Sequence, residues 1–357
     1  MKILITKFKS IGDVILLSPL ISSLAKNFKN CEISLYLNEG TEIFTQDNPD
    51  VKHIYLFDKA KYEKLSLQKK LLYFLKEIIN IRKENYDLLI STDRGGKGEI
   101  LSMFSNAKTR IGRRTNAKLI SLIFDKFFYF QGDRHIVELN LDPIEILNLK
   151  IKNQKLEIFF NPLQGEKVKK RLNSIGEFVH IHPVSQCDHK NLDTNLMAKL
   201  IDYCEFDLNL NVILTSSPKA NEMEYMNNVM SLVKSRPLDL SGKLSIIETA
   251  ELNRLAKFTI VVDTAIMHVA CANDIPTIAF FGPTSISNWG PLDINLNEIS
   301  LKRSGGIQKN GKHTVIAANY SCVPCSNSGC SNSGNSKCLN ELDFEEIKKI
   351  IYDYSIK

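Results

Sequence analysis

The 357-residue chain contains no run of about 18 consecutive apolar residues, so no membrane-spanning helix is expected. The opening stretch, MKILITKFKS, has basic residues but no apolar core of about 7–15 residues behind them, so it reads as a short strand and not as a secretory leader. The G-x-G-x-x-G fingerprint is missing after that strand, which excludes the usual dinucleotide-binding turn there. No internal repeat is found. Without a leader, the eight cysteines are expected to be reduced thiols in a cytosol.

Hydrophobic residues make up 43% of the chain and charged residues 24%, the proportions of a soluble globular protein long enough for two domains with sizeable cores. The net charge of +6 is unevenly placed. Residues 1–165 hold 26 Lys and Arg against 19 Asp and Glu, a net of +7, and residues 166–357 hold 20 against 21, a net of −1. The basic half is expected to meet something anionic. Nucleic acid, acidic lipid or a phosphorylated glycan would each satisfy the charge, and a solvated lysine-rich surface is the plain alternative.

Apolar runs alternate between strand and helix character. Lys2–Lys7, Glu32–Leu37, Val51–Phe57, Tyr86–Ser91 and Thr109–Gly112 read as strands. Asp13–Asn27, Leu65–Glu84 and Glu99–Asn106 read as helices between them. Asn161-Pro162 and Gly165 break the pattern, and Phe178–His182 opens a second alternating series. The expectation is an α/β chain of two Rossmann-like, doubly wound domains facing across a cleft. Residues 1–165 form the first, residues 166–340 the second with a cysteine-rich loop at 320–338, and residues 341–357 a terminal helix.

The richest stretch is Thr259–Pro291. Ile260–Val262 reads as a buried strand, Asp263-Thr264 as a turn, Ala265–Ala272 as a helix and Ile275–Phe281 as a second strand leading into Gly282-Pro283-Thr284. Such a unit predicts a parallel sheet with ligand loops at the strand ends. The helix start offers unpaired N–H groups and a positive dipole end, which suit a diphosphate. Asp263 alone reads as a helix cap, and His268 alone as a satisfied core histidine. Ser10-Ile11-Gly12-Asp13 links the first strand to the first helix. Gly12 permits a tight turn, and Asp13 is either an N-cap or a general base at the strand's carboxyl end. Ser185 and Lys190 put a hydroxyl and an ammonium near another strand end, suited to phosphate or simply an ordinary polar loop. Glu222 opens a helix and can bind a ribose diol or merely favour the helix dipole. Cys322, Cys325, Cys330 and Cys338 crowd a Ser/Asn/Gly-rich loop. Zinc, disulfides and free thiols all remain open for them, and a zinc held by four cysteines would be structural.

Taken together these motifs resemble the bacterial ADP-heptose:lipopolysaccharide heptosyltransferases of inverting glycosyltransferase family 9. The residues that carry the resemblance are K-I-L-I-x-K-x-x-S-I-G-D-V (Lys2 to Val14), H-x-V-E-x-N (His135 to Asn140), H-P-V-S (His182 to Ser185) with Lys190, V-D-T-A-x-M-H-x-A (Val262 to Ala270), F-G-P-T with W-G-P (Phe281 to Pro291) and the late cysteines. They span nearly the whole chain. Ala265 stands where many members have Gly, and Leu192 replaces a common Trp. The lysine spacing and the cysteine cluster are closest to the third-heptose or side-branch enzymes.

The resemblance implies a GT-B glycosyltransferase fold, with the lipopolysaccharide core acceptor on the amino-terminal domain and ADP-heptose on the carboxyl-terminal domain. It implies that Asp13 is the catalytic base. Donor contacts fall on Ser185, Lys190, Glu222, Asp263, Thr264, His268, Gly282 and Thr284. Ser10, Gly12, Arg94, Lys97, Arg113 and Arg114 are the candidates for the acceptor. No catalytic metal and no nucleic acid are expected, and a cytoplasmic enzyme peripheral on an anionic membrane surface is. The competing readings are a transferase with another nucleotide-sugar donor, a related sugar-nucleotide epimerase, and a non-catalytic envelope glycan-binding protein. The joint presence of Asp13, Lys190, Asp263 and His268 argues against the last.

Overall fold

The computed structural model describes all residues except 94–95, 115–122, 130–131, 173–174, 297 and 357. The chain folds as two units, Met1–Phe160 and Asn161–Lys357. Unit 1 holds strands β1 (Lys2–Lys7), β2 (Glu32–Asn38), β3 (Val51–Phe57), β4 (Leu88–Ser91), β5 (Thr109–Arg113) and β6 (Lys126–Phe128). Its helices are α1 (Ile11–Ile15), α2 (Ser18–Asn27), α3 (Lys59–Lys64), α4 (Leu67–Lys83), α5 (Lys97–Phe104) and α6 (Ile136–Ile146). The sheet runs β3-β2-β1-β4-β5-β6 and every neighbouring pair is parallel. Ile3, Leu4 and Ile5 of the central β1 are fully buried, as a strand covered on both faces requires. Tyr36, Phe57, Phe74, Ile78, Tyr86 and Leu89 pack with Leu4 into a core beneath α4.

The expected helix Asp13–Asn27 is two helices. Pro19 sits in the first turn of α2, where its missing N–H costs nothing, but it cannot continue a ladder from α1. Helix α3 falls between the expected strand Val51–Phe57 and the expected helix Leu65–Glu84, where no element was read from the sequence. Asp58 starts it by accepting the Lys61 N–H at 2.8 Å.

Unit 2 holds α7 (Glu166–Leu172), β7 (Phe178–His182), α8 (Thr194–Asp202), β8 (Asn211–Leu214), α9 (Ala220–Leu232), β9 (Leu238–Asp239) and α10 (Ile246–Arg254). It continues with β10 (Phe258–Val262), α11 (Ala265–Ala272), β11 (Thr277–Phe280), α12 (Ile286–Trp289), β12 (Gly306–Asn310), β13 (His313–Ala317), α13 (Lys337–Asn340) and α14 (Phe344–Ser355). The order is β12-β13-β11-β10-β7-β8-β9, parallel apart from the edge hairpin β12–β13. Ile347, Ile351 and Tyr354 bring α14 into the core of this unit. Each unit thus has its first strand in the middle and reverses strand order beside it, between β1 and β4 and again between β7 and β10.

Candidate active site

Open α/β sheets take ligands at the carboxyl ends of the strands where the order reverses. In unit 1 this is where β1 and β4 end. Lys7 closes β1 and is buried between two carboxylates, its Nζ 3.8 Å from Asp13 Oδ1 and 3.5 Å from Asp93 Oδ1. Asp93, just past β4, also accepts the Phe8 N–H through Oδ2. The other oxygen of Asp13 accepts the Ser10 hydroxyl at 2.6 Å and the Ser10 N–H at 3.2 Å. Asp13 is therefore not the N-cap of α1, a place that Ser10 takes, but the third residue of a capping box with Ser10, and it turns its other oxygen toward an ammonium. Gly12 is not the turn-former expected from sequence. It lies inside α1, and its carbonyl accepts the Leu16 N–H at 3.1 Å. The glycine this strand end requires is Gly98, and it requires it for space: a Cβ there would stand 2.8 Å from Ser91 Oγ and 3.1 Å from Thr6 Oγ1, so its absence lets α5 approach closely.

The His135 motif does its work from behind. His135 Nδ1 accepts the Val137 N–H at 3.2 Å, the His135 N–H donates to Glu138 Oε2 at 2.9 Å, and Asn140 donates to the Leu16 carbonyl at 2.9 Å. A capping box thus starts α6, and α6 in turn ties down the residue that ends the Asp13 helix. Of the basic candidates, Lys97 lies over the Phe57 ring at 3.9 Å, and burial with the nearby Lys59 lowers its pKa. Arg113 ends β5 and is not in a following loop. Arg114 bonds the Tyr129 hydroxyl and lies 5.3 Å from the Tyr129 ring. Arg94 lies outside the described residues.

In unit 2 the equivalent point is where β7 and β10 end. Lys190 closes a short 3-10 turn after β7, and its Nζ pairs with Asp263 Oδ2 at 2.7 Å. Asp263 directly follows β10 and is buried. It does not cap α11 as its plain reading had it. Thr264 takes the N-cap position, without a side-chain cap bond. Asp263 faces the lysine because the strand order brings residues 73 positions apart to adjacent strand ends. Ser185 is buried and donates its N–H to Asn191 Oδ1 at 2.7 Å. His268 is buried in α11. Glu222 is also buried, and its Oε2 accepts the Ser217 N–H at 2.9 Å. This carboxylate secures the loop after β8, a structural use the helix-dipole reading did not name. Below the site, His180 and His182 share the Thr215 hydroxyl at 2.7 and 2.9 Å. Burial lowers His182 to about 4, so the pair stays neutral.

The cysteine-rich loop braces two of these strand-end loops. The Ser326 N–H donates to the Pro283 carbonyl at 2.8 Å, and the Ser336 hydroxyl to the His189 carbonyl at 2.7 Å. A Cβ on Gly282 would stand 2.6 Å from Leu339 Cδ1 and 3.4 Å from Cys338 Sγ. Gly282 therefore permits close packing against α13, and Thr284 is carried on the same loop. The eight cysteines are free thiols. Burial, followed by the nearby Cys330, Cys325 and Cys322, pushes Cys338 up to about 11. The four thiols are thus neighbours, although among the described residues no three metal-ligating side chains converge.

Lys7 lies within the amino-terminal motif but was given no role there, and Asp93 and Asn191 were not singled out from sequence. Lys7 and Asp93 are marked only by position, a polar residue on or just after a strand next to the reversal, and Asn191 follows the 3-10 turn after β7, so the strand order is needed to see them.

The sequence profile of Glycosyltransferase family 9 (heptosyltransferase) matches residues 75–321. Lipopolysaccharide heptosyltransferase 3 of Escherichia coli is 26% identical over 292 residues, covering 80% of this chain and 84% of that protein. Among solved structures, the family 9 glycosyl transferase of Veillonella parvula superposes with a TM-score of 0.78 at 17% identity, covering 99% of this chain and 97% of that one. E. coli heptosyltransferase WaaC with ADP-2-deoxy-2-fluoro heptose superposes with a TM-score of 0.69 at 18% identity, covering 99% of both chains. The fold is thus the GT-B glycosyltransferase fold of two Rossmann-like units, and the chain belongs to glycosyltransferase family 9, the heptosyltransferases.

Proposed function

We propose that this protein transfers a heptose from ADP-heptose to the inner core of lipopolysaccharide with inversion at the anomeric carbon. The observation that carries the reading is the Lys190–Asp263 pair at the strand reversal of unit 2, beside the start of α11. An ammonium and a helix start at one point suit the diphosphate of a nucleotide sugar. The ADP-sugar analogue held by the structural relative WaaC supports ADP-heptose as the donor. The similarity to a lipopolysaccharide heptosyltransferase 3 supports lipopolysaccharide as the acceptor.

In this mechanism Asp13 Oδ1 takes the proton of an acceptor hydroxyl as that oxygen attacks the anomeric carbon. The bond from the anomeric carbon to the β-phosphate oxygen breaks on the opposite face, and ADP leaves with its electron pair. Lys190 and the N–H groups at the head of α11 stabilise the charge that develops on it. Ser185, Thr264, His268, Gly282 and Thr284 line the donor side, and Glu222 shapes its edge. Ser10, Gly12, Arg94, Lys97, Arg113 and Arg114 serve the acceptor on unit 1. The enzyme works in the cytoplasm on a membrane-held acceptor. Cys322, Cys325, Cys330 and Cys338 are the residues that would hold a structural zinc, once their side chains turned to converge. Four neighbouring thiols in a turn-rich loop are the donor set such an ion takes, and it would fix the loop that braces the donor strand ends.

The deciding experiment is transfer from purified ADP-heptose to a panel of truncated lipopolysaccharide cores, read by mass spectrometry. A gain of one heptose on one truncation is expected. Hydrolysis or epimerisation of the nucleotide sugar, with no gain on any core, would sink the reading.

A further inference from the structure

Helix α4 carries two apolar faces. Phe74, Ile78 and Ile81 point into the core of unit 1. Leu71, Leu75 and Ile79 stand at successive four-residue steps on a neighbouring face and are 62%, 44% and 52% exposed. Leu67 and Leu72 extend that stripe and are 85% and 66% exposed. An ordinary surface helix keeps this face polar. The apolar surface continues on α5, which packs beside α4 and exposes Ile100, Met103 and Phe104.

The charge around the stripe is of one sign. Lys69, Lys76 and Lys83 recur every seven residues and form an exposed row alongside it. Residues 59–83 contain eight Lys and Arg against two Glu, a net of +6, which equals the net charge of the whole chain. One of the two acids, Glu77, is taken up by the Tyr36 hydroxyl at 2.7 Å.

We infer that this face of α4 docks unit 1 onto an anionic lipid surface. The leucine stripe enters the boundary between headgroups and acyl chains, and the lysine row meets lipid phosphates. A helix with an apolar stripe bordered by lysines is built to lie in a membrane interface and not to cross it. Alone among the described helices it offers both features, and no described helix is long and apolar enough to span a bilayer. A second copy of the chain fits less well. A two-fold contact would set the same lysine-bordered patch against itself, with eight basic residues and two acidic ones in this stretch of each copy. The inference deepens the proposed peripheral location, and rests on the proposed function only for its purpose, that of meeting a lipid-anchored acceptor.

The test is flotation of the full-length protein with vesicles of phosphatidylethanolamine containing roughly 30 mol % phosphatidylglycerol, and with neutral phosphatidylcholine vesicles. The wild type is expected to float with the anionic vesicles. Leu71→Gln/Leu75→Gln/Ile79→Gln should lower the partition coefficient about tenfold or more. Lys69→Gln/Lys76→Gln/Lys83→Gln should abolish the preference for anionic lipid. A Leu75→Trp variant gives a second readout that keeps the apolar face, and its added emission should shift to the blue on vesicles and be quenched by brominated acyl chains. Unchanged flotation of the leucine variant, a wild type that stays in solution, or a dimer that the leucine variant splits without altering flotation would each overturn the inference. On lipid-free core oligosaccharide the wild type and both triple variants should turn over alike. Flotation without any transfer would therefore remove the proposed function and leave the docking face, and transfer without flotation would do the reverse.

Discussion

Asp13 shows how one carboxylate serves two tasks. Oδ2 closes the first turn of α1 through Ser10, and Oδ1 looks toward Lys7. Asp13→Asn keeps the capping oxygen and should fold normally, but its amide cannot accept a proton. Turnover is expected to fall roughly 10²-fold or more. Turnover near that of the wild type would reduce Asp13 to a member of the capping box. Lys190→Ala goes further than removing one contact. It leaves the buried Asp263 carboxylate without its ammonium partner, beside the place proposed for the diphosphate. The expected cost to ADP binding is at least the ~1.5–3 kcal/mol of a hydrogen bond to a charged group, read by calorimetry. Unchanged affinity would remove the lysine from the site. Asp13 and Lys190 stood out in the sequence as candidates because each sits in a short motif at a strand end. The Lys7–Asp93 pair did not, although Lys7 shares the motif of Asp13. The two lie 86 positions apart in the numbering, and only the pairing of β1 with β4 makes them neighbours.

At the level of elements, strand–helix alternation was readable because a central parallel strand is an apolar run, and Ile3–Ile5 or Ile260–Val262 cannot hide. Short edge strands lack that mark. Lys126–Phe128, Leu238–Asp239 and Gly306–Asn310 are set by pairing partners and carry little pattern of their own. The split of Asp13–Asn27 was announced by Pro19 and missed because the apolar residues run on through it. The cysteine loop is an element whose composition was plain and whose purpose was not, since its bonds to Pro283 and His189 reach far along the chain. Protein purified under reducing conditions is expected to carry one zinc per chain by elemental analysis. Chelation should then lower both the melting temperature and ADP affinity, because the loop braces the strand ends proposed to hold the donor. A metal content near zero, with all four thiols open to titration, would leave the loop without an ion.

For the whole molecule, the charge asymmetry of +7 against −1 divides the proposed labour. The acceptor core is anionic, and unit 1 is the basic part. Replacing Arg113 and Arg114 by Ala should raise the apparent KM for the acceptor and leave that for ADP-heptose nearly unchanged. The effect should shrink as salt is added, since exposed charges more than about 10 Å apart are screened near 0.1 M. Impaired donor binding with intact acceptor kinetics would reverse the assignment of the two units. The doubly wound plan itself was legible, but the order of strands within each sheet was not, because it depends on contacts between residues far apart in sequence. That same order governs how the protein emerges during synthesis. The first strand made is the middle strand of its sheet, and its second neighbour, Leu88–Ser91, leaves the ribosome more than eighty residues later. The turn bearing Asp13 waits longer still, for Asn140 to reach the Leu16 carbonyl. Unit 1 ends at Phe160, so its fastening is complete before any strand of unit 2 exists. Domains made first usually fold first. A nascent chain with residue 160 clear of the ribosome should therefore already hold Asp13 in its finished surroundings, whereas one with only residue 130 clear holds the same aspartate on an unfastened turn.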